Sequence, residues 1–325
     1  MGNLRDYIIR RILLCLPTLL GISILTFGII HLAPGGPLNF MLEMQVEVDP
    51  EMILLMQKQM GLDKPVYEQY FIWLRNILTG NLGVSYISHV PVSSLLSKFW
   101  LNTLKLSITG LVISMIVSVP LGIISAVKKD SIFDNATRLY SLLGVSLPNF
   151  WLGILLIYNV ALRFDFIPVF GMRTIGAVYA NNFEAVADQL QHMILPIITA
   201  TFGGSALTIR LVRSSMLDVL SQDYIMTARA KGVKERVVIY KHALRNALLP
   251  VVTLVGLSMG FILSGSVTLE TVFAWPGLGR YTVNATFMRD YPAIMAMVMI
   301  IATMVVLANL ITDISYALLD PRVRY

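Results

Sequence analysis

An all-α membrane protein with six transmembrane helices is the fold class this sequence predicts, and three observations predict it. The 325 residues are 56% hydrophobic and 14% charged, with a mean hydropathy of +0.72, more apolar surface than a soluble domain exposes without aggregating. Several apolar runs approach or exceed the roughly 20 residues needed to cross a bilayer core. Lys and Arg gather in alternate connecting segments, which is the asymmetry that orients membrane helices.

The first span runs from Ile8 to Ile30, with Arg5, Arg10 and Arg11 at its start. It is too long for a signal-peptide core, and the following "HLAPGGPLNF" has no small-x-small cleavage pattern, so it reads as a retained helix. Further spans are Leu106 to Val127, Leu139 to Leu162, Met193 to Val212, Leu249 to Leu269 and Ala293 to Leu318. With the basic start inside, the inner segments carry most of the Lys and Arg, and the acids lean outward. That puts both termini in the cytoplasm.

Between His31 and Trp100 lies an outer segment too long for a turn. Apolar spacing predicts two short amphipathic helices: one in "PEMILLMQKQMGL" ending at Gly61, and one in "YEQYFIWLRNILTG" with Tyr70, Trp73, Leu74 and Ile77 on one face and Gly80 as its stop. They cap the outer surface or lie in the lipid interface.

Much chemistry is excluded. No G-x-x-x-x-G-K-[ST] occurs, and "WPGLGRYTV" lacks the third Gly of a dinucleotide fingerprint. His31, His89, His192 and His242 are scattered, and the one cysteine, Cys15, allows neither an internal disulfide nor a cysteine metal site. No catalytic residue, metal site or cofactor is expected, and the positive charge needs no nucleic-acid partner. Among charges inside spans Asp313 is the clearest, read as a capping or inter-helix hydrogen-bonding residue, while Lys105 snorkels to the surface.

The most unusual stretch is "DYIMTARAKGVKERVVIYKHALRNALLP", Asp223 to Pro250, a basic insert amid apolar runs. Ser221 is its expected N-cap, Asp223 suits the first turn, and Gly232 stops the first helix. A second helix is expected from Lys234 to Leu249, with Val237, Tyr240, Leu244 and Leu248 on one face and Lys234, Lys241 and Arg245 on another. The result is a helix-turn-helix elbow on the cytoplasmic side. An ordinary basic juxtamembrane segment binding anionic lipid explains the composition equally.

This stretch resembles the EAA loop of the membrane subunits of binding-protein-dependent ABC importers. Gly232 takes the motif's Gly position, and Met226, Thr227 and Ala228 stand where Glu-Ala-Ala would, so one of those three matches; the Leu-Pro arrives late, at Leu249 and Pro250. These departures are the wording of the dipeptide and oligopeptide permease branch, whose first (B-type) subunit the chain resembles throughout. "YIIRRILLCLPTLLGISILTFGIIHLAPGGP", "LGVSLPNFWLGILLIY", "ETVFAWPGLGRYTVNA" and the ending "DPRVRY" extend the similarity in order.

The resemblance implies the type I ABC importer permease fold. Residues 1–30 would form the start and first helix, 31–105 an extracytoplasmic insertion, and 106–325 a core of five helices with a coupling loop at 214–249. It implies that the elbow docks a cytoplasmic ATPase through Asp223, Thr227, Ala228, Arg229, Ala230, Lys231, Gly232, His242 and Arg245, with Asp223 a substitute for the missing Glu. The implied partners are a homologous second permease subunit, two ATPase subunits, an extracytoplasmic binding protein, a di- or oligopeptide substrate and membrane lipid.

Polar groups for a translocation path are Asn149, Thr201, Ser205, Thr208, Ser258 and Ser264, each of which would serve helix packing equally well. Pro120 and Pro148 are expected kinks. The outer loop at Trp275, Pro276, Gly277 and Gly279 would meet the binding protein, close the pore, or pack as structure. Rival readings are the same architecture importing nickel, glutathione or oligosaccharides, and a stand-alone channel or secondary carrier.

Overall fold

The computed structural model describes residues 4–32, 63–164 and 166–319. Its helices are α1 (Leu4–Leu32), α2 (Val66–Leu78), α3 (Val92–Val127), α4 (Ile132–Ser146), α5 (Asn149–Leu156), α6 (Asn182–Leu220), α7 (Asp223–Ala230), α8 (Glu235–Val237), α9 (Leu244–Ala247), α10 (Leu249–Ser264), α11 (Val267–Val272), α12 (Leu278–Phe287) and α13 (Tyr291–Leu319). π turns follow α5 at Ile157–Ala161 and α8 at Val238–Ala243. No strand occurs among the described residues, only an isolated bridge between Val84 and Pro91.

Among the described residues four helices are long and apolar enough to cross a bilayer: Asp6–Leu32, Val92–Val127, Asn182–Leu220 and Tyr291–Ile314. The expected third span is a bent pair instead. α4 and α5 meet at 104°, because Pro148 follows Leu147, whose φ of −85° and ψ of 126° are the extended backbone that a residue before proline prefers. The fifth expected span is the 16-residue α10, which stops before Gly265 at φ +84°.

Two compact units emerge: residues 1–101 with 277–325, and residues 102–276. In the first, α1 packs along α13, and Arg11 pairs with Asp313 at 2.7 Å, the inter-helix role expected of that acid. α2 docks on α1 with the predicted face: Tyr70 shares a 2.8 Å hydrogen bond with Ser23, Gln69 meets His31, and Phe27 lies edge-on to Tyr70. Gly80, at φ +81°, follows its last turn. The companion helix expected over residues 50–62 falls outside the described residues. The loop after α2 is clasped by buried Asp290, which accepts from the Ser85 hydroxyl and the Tyr86 amide. Burial, and then the Asp290 charge, push the Tyr86 phenol up to about 12.

The second unit is built on close approach of α3, α4 and α6. Ser131 caps α4 by accepting from the Asp134 amide, and Asn181 caps α6 by accepting from the Glu184 amide. A Cβ added at Gly144 of α4 would lie 2.5 Å from the Ala206 Cβ, and one at Gly122 of α3 would lie 2.7 Å from the Val212 Cβ. Small residues let these backbones approach where side chains would hold them apart.

Candidate functional site

The elbow begins where α6 ends. Ser221 does not cap α7: its backbone is still helical and its hydroxyl donates to the Asp218 carbonyl, so it closes α6. Gln222, with extended backbone and no capping side-chain bond, takes the N-cap position. Asp223 then opens α7, where a carboxylate suits the positive helix end. After Lys231 the chain turns at Gly232, φ +76°, the left-handed conformation that glycine adopts without a Cβ penalty.

Two contacts tie the legs of the elbow together. Arg229 forks onto Glu235, Nη2 to Oε1 at 2.6 Å and Nε to Oε2 at 3.1 Å. Asn246 Nδ2 donates to the Tyr224 hydroxyl at 2.8 Å. The guanidinium bonds hold the Glu235 carboxyl below its ordinary range and Arg229 above its own. A depressed carboxyl contributes stability above its unfolded value, near 4.5, and loses that contribution as pH falls through the folded value. Because both side chains are about half exposed, the clip contributes less than about 1 kcal/mol. Amide exchange over residues 231–238 is expected to speed up below about pH 4.5 beyond the intrinsic rate, and Glu235→Gln to show the faster exchange already at neutral pH.

The second leg does not bury the apolar set Val237, Tyr240, Leu244 and Leu248 as one face. Val238, Ile239, Ala243 and Ala247 are buried, whereas Val237 and Tyr240 are exposed. The reason is the π turn at Val238–Ala243, which widens one turn and rotates everything after it relative to a regular helix. With Ile225, the buried set packs on Ile123 and Ala126 at the end of α3 and on Val212, Met216 and Val219 of α6. Facing outward are Tyr224, Met226, Arg229, Lys231, Lys234, Arg236, Tyr240, Lys241 and Arg245, together with Asp223, Thr227, Ala230 and Gly232; Ala228 and His242 are half-buried. One surface is therefore committed to the protein interior, and the other presents cations around a few apolar side chains.

The remaining predicted positions scatter. Ser205 is buried, sharing a 2.8 Å hydrogen bond with Tyr140, and Thr208 is buried and donates to the Gly204 carbonyl. Thr201 is buried without a hydrogen-bond partner in the described structure. Asn149 starts α5, its Oδ1 2.6 Å from where a Gly203 Cβ would stand, and Ser258 donates to Leu254 in its own helix. Ser264 ends α10. In the loop, Trp275 is wholly buried with Leu106, Met193 and Ile197, its Nε1 donating to the Asn102 carbonyl. Asn102 Nδ2 donates to the Pro276 carbonyl, and Gly277 and Gly279 are buried around the start of α12.

Three buried acids escaped the sequence reading, Asp290 described above among them. Glu270 is 1% exposed and accepts from the Thr103 hydroxyl, and Asp134 is fully buried against Arg213. A signal existed for Asp134: Ser131 and Asp134 form an S-x-x-D helix start. Among the described residues no group of three His, Cys, Asp or Glu is placed to hold a metal.

Residues 118–325 match the model of the binding-protein-dependent transport system inner membrane component, and residues 4–107 match that of its N-terminal part. The chain belongs to this family. The binding-protein-dependent permeases have the helical type I fold, so the helices above are those of a multi-pass membrane permease component. The chain is 44% identical over 322 residues to the oligopeptide transport system permease protein AppB of Bacillus subtilis, covering 98% of this chain and 99% of the relative. It is 38% identical to the dipeptide transport system permease protein DppB of Escherichia coli K12, and 40% identical to the glutathione transport system permease protein GsiC of E. coli O6:H1, with the same coverage in both cases.

Proposed function

We propose that the chain is a membrane-spanning subunit of an ATP-driven peptide importer and that the elbow is the surface through which a cytoplasmic ATPase drives it. The carrying observation is the division of the elbow into two faces. Its apolar side is fixed on the ends of α3 and α6, and its outward side offers cations around Tyr224, Met226 and Tyr240. Apolar contacts give such a partner affinity, and the cations set encounter and register. Asp223, exposed at the start of α7, stands in for the glutamate that the motif would place at Met226.

In this reading both termini and the elbow are cytoplasmic, and the assembly holds a homologous second permease, two ATPase subunits and an extracytoplasmic binding protein. Asn149, Thr201, Ser205, Thr208, Ser258 and Ser264 belong to the helices that form the path, and the loop around Trp275 to Gly279 belongs to the extracytoplasmic side. The glutathione relative supports a second substrate reading, a small γ-linked peptide, on the same architecture. Which of the two is carried follows from the binding protein that delivers it.

The test is purification of a tagged chain from its own membrane in mild detergent, with mass spectrometry of what stays bound. A stoichiometric ATPase is expected; a chain that purifies alone and still transports would overturn the reading. Gly232→Val sharpens the test. A Cβ there meets nothing within 4 Å, so the cost is the left-handed backbone alone, about 1–2 kcal/mol, more for a β-branched residue. That weakens ATPase affinity about tenfold, whereas Gly232→Asn, which tolerates this conformation, keeps it.

A further inference from the structure

Asp134 is the most enclosed charged group on α4, with no side-chain exposure. Four bonds from three elements converge on it. Arg213 of α6 forks onto it, Nε to Oδ1 at 2.6 Å and Nη2 to Oδ2 at 2.7 Å. Ser125 of α3 donates its hydroxyl to Oδ1, and the amide of Asp130, in the turn between α3 and α4, donates to Oδ2 at 3.0 Å. That turn is held at φ +61°, so Asp130 aims its amide inward from a conformation the chain rarely adopts.

The location gives this cluster its meaning. Ser125 lies between Ile123 and Ala126 on α3, and Arg213 lies beside Val212 and one turn before Met216 on α6. Those four apolar residues are the floor on which Ile225, Val238, Ile239 and Ala243 of the elbow rest. The same turns of α3 and α6 therefore carry the elbow through their apolar side chains and hold α4 through Ser125 and Arg213. A bidentate guanidinium–carboxylate pair fixes rotation as well as separation, which apolar contact does not.

We propose that Asp134 and Arg213, with Ser125, form a positioning node that makes α4 follow the elbow as one body when the partner ATPase moves it; this rests on the functional reading above. Apart from the node, the Gly144 close approach and the Tyr140–Ser205 hydrogen bond that join α4 to α6 lie in its second half, so the node is the polar tie that sets the orientation of its first turns.

The experiment uses the assembled transporter, a Cys15→Ser background, and spin labels at Leu142→Cys on α4 and Ser221→Cys at the elbow junction, both exposed. The distance between labels is measured with and without ADP-vanadate trapping of the ATPase, alongside ATP hydrolysed per trialanine imported in vesicles. The test variant is Asp134→Leu with Arg213→Met, since an apolar pair of similar volume often replaces a buried ion pair without loss of stability. Arg213→Lys, which keeps the charge and loses the fork, is the second variant in case the first does not assemble.

In the unaltered chain the label distance is expected to be the same in both states. In the variant it changes on trapping, and ATP consumed per peptide rises about tenfold, the size of a typical coupling energy, while the ATPase stays bound. A variant that holds its ATPase, keeps the label distance constant and keeps the ratio unchanged overturns the node and leaves the functional reading standing. An unaltered chain that retains no ATPase overturns the functional reading, and the node with it.

Discussion

Trp275→Ala is expected to destabilise residues 102–276 by about 3–5 kcal/mol, the range for removing a fully buried Phe or Trp. Trp275 has no exposed surface and is the largest side chain in its cluster with Leu106, Met193 and Ile197. Removing it leaves a cavity between α3 and α6 and also takes the indole N–H from the Asn102 carbonyl, which keeps only its helical partner. Asn102 in turn holds the Pro276 carbonyl, so both bonds that pin the loop to α3 are affected. Trp275→Phe separates the contributions. It fills most of the cavity but has no N–H, and is expected to cost about 1–3 kcal/mol, the loss of one buried hydrogen bond plus a partial void. Thermal unfolding in detergent, followed by tryptophan-independent far-ultraviolet ellipticity, ranks the two. Equal midpoints for Trp275→Ala and the unaltered chain would mean that the loop does not pack as described.

Gly144→Val is expected to prevent the α4–α6 pairing altogether. Even a methyl group at this position would stand 2.5 Å from the Ala206 Cβ and 2.9 Å from the Phe202 carbonyl oxygen, and the second of these is backbone, which has no rotamer through which to yield. The helices must separate, which undoes the Tyr140–Ser205 hydrogen bond one turn away and strains the Asp134–Arg213 pair. Overpacking typically costs about 1–3 kcal/mol when side chains absorb it; here the cost lies at or beyond the upper end. Gly28→Val on α1, where an added Cβ meets nothing within 4 Å, is the matched control. Protease resistance of membrane-embedded chain should fall for the first variant and stay for the second.

The elbow was legible because its signals are local. Charge density, Gly232 and the helix-start acid Asp223 all lie within one stretch, and each carries a conformational meaning of its own. The face of its second leg was not legible. A 3.6-residue period groups Val237 and Tyr240 with Leu244 and Leu248, but the π turn at Val238–Ala243 shifts the phase, so Val238 and Ile239 are buried with Ala243 and Ala247 instead. Asp134 escaped for a different reason: its partner lies 79 residues away, and no periodicity within α4 reveals a contact with α6. The loop at Trp275 stayed open in the sequence, since aromatics beside Gly and Pro describe a membrane-interface loop and a buried plug equally well. Pro148 was legible as a kink, whereas the size of the bend depends on how α5 packs once released from the axis of α4.

That 104° corner carries a requirement about hydration. A helix's first turn leaves its amides without partners inside the helix, and α5 starts its first turn beside the corner, with Pro148 removing one of those donors by having no N–H. Hydrocarbon offers nothing for the rest to bond, so a corner at membrane depth must face protein or water rather than lipid tails. Asn149, the first residue past the corner, keeps an amide side chain there. Wherever the bilayer sits on this chain, the side of the α4–α5 pair on which Asn149 stands, its amide against Gly203 of α6, is not the side for lipid tails.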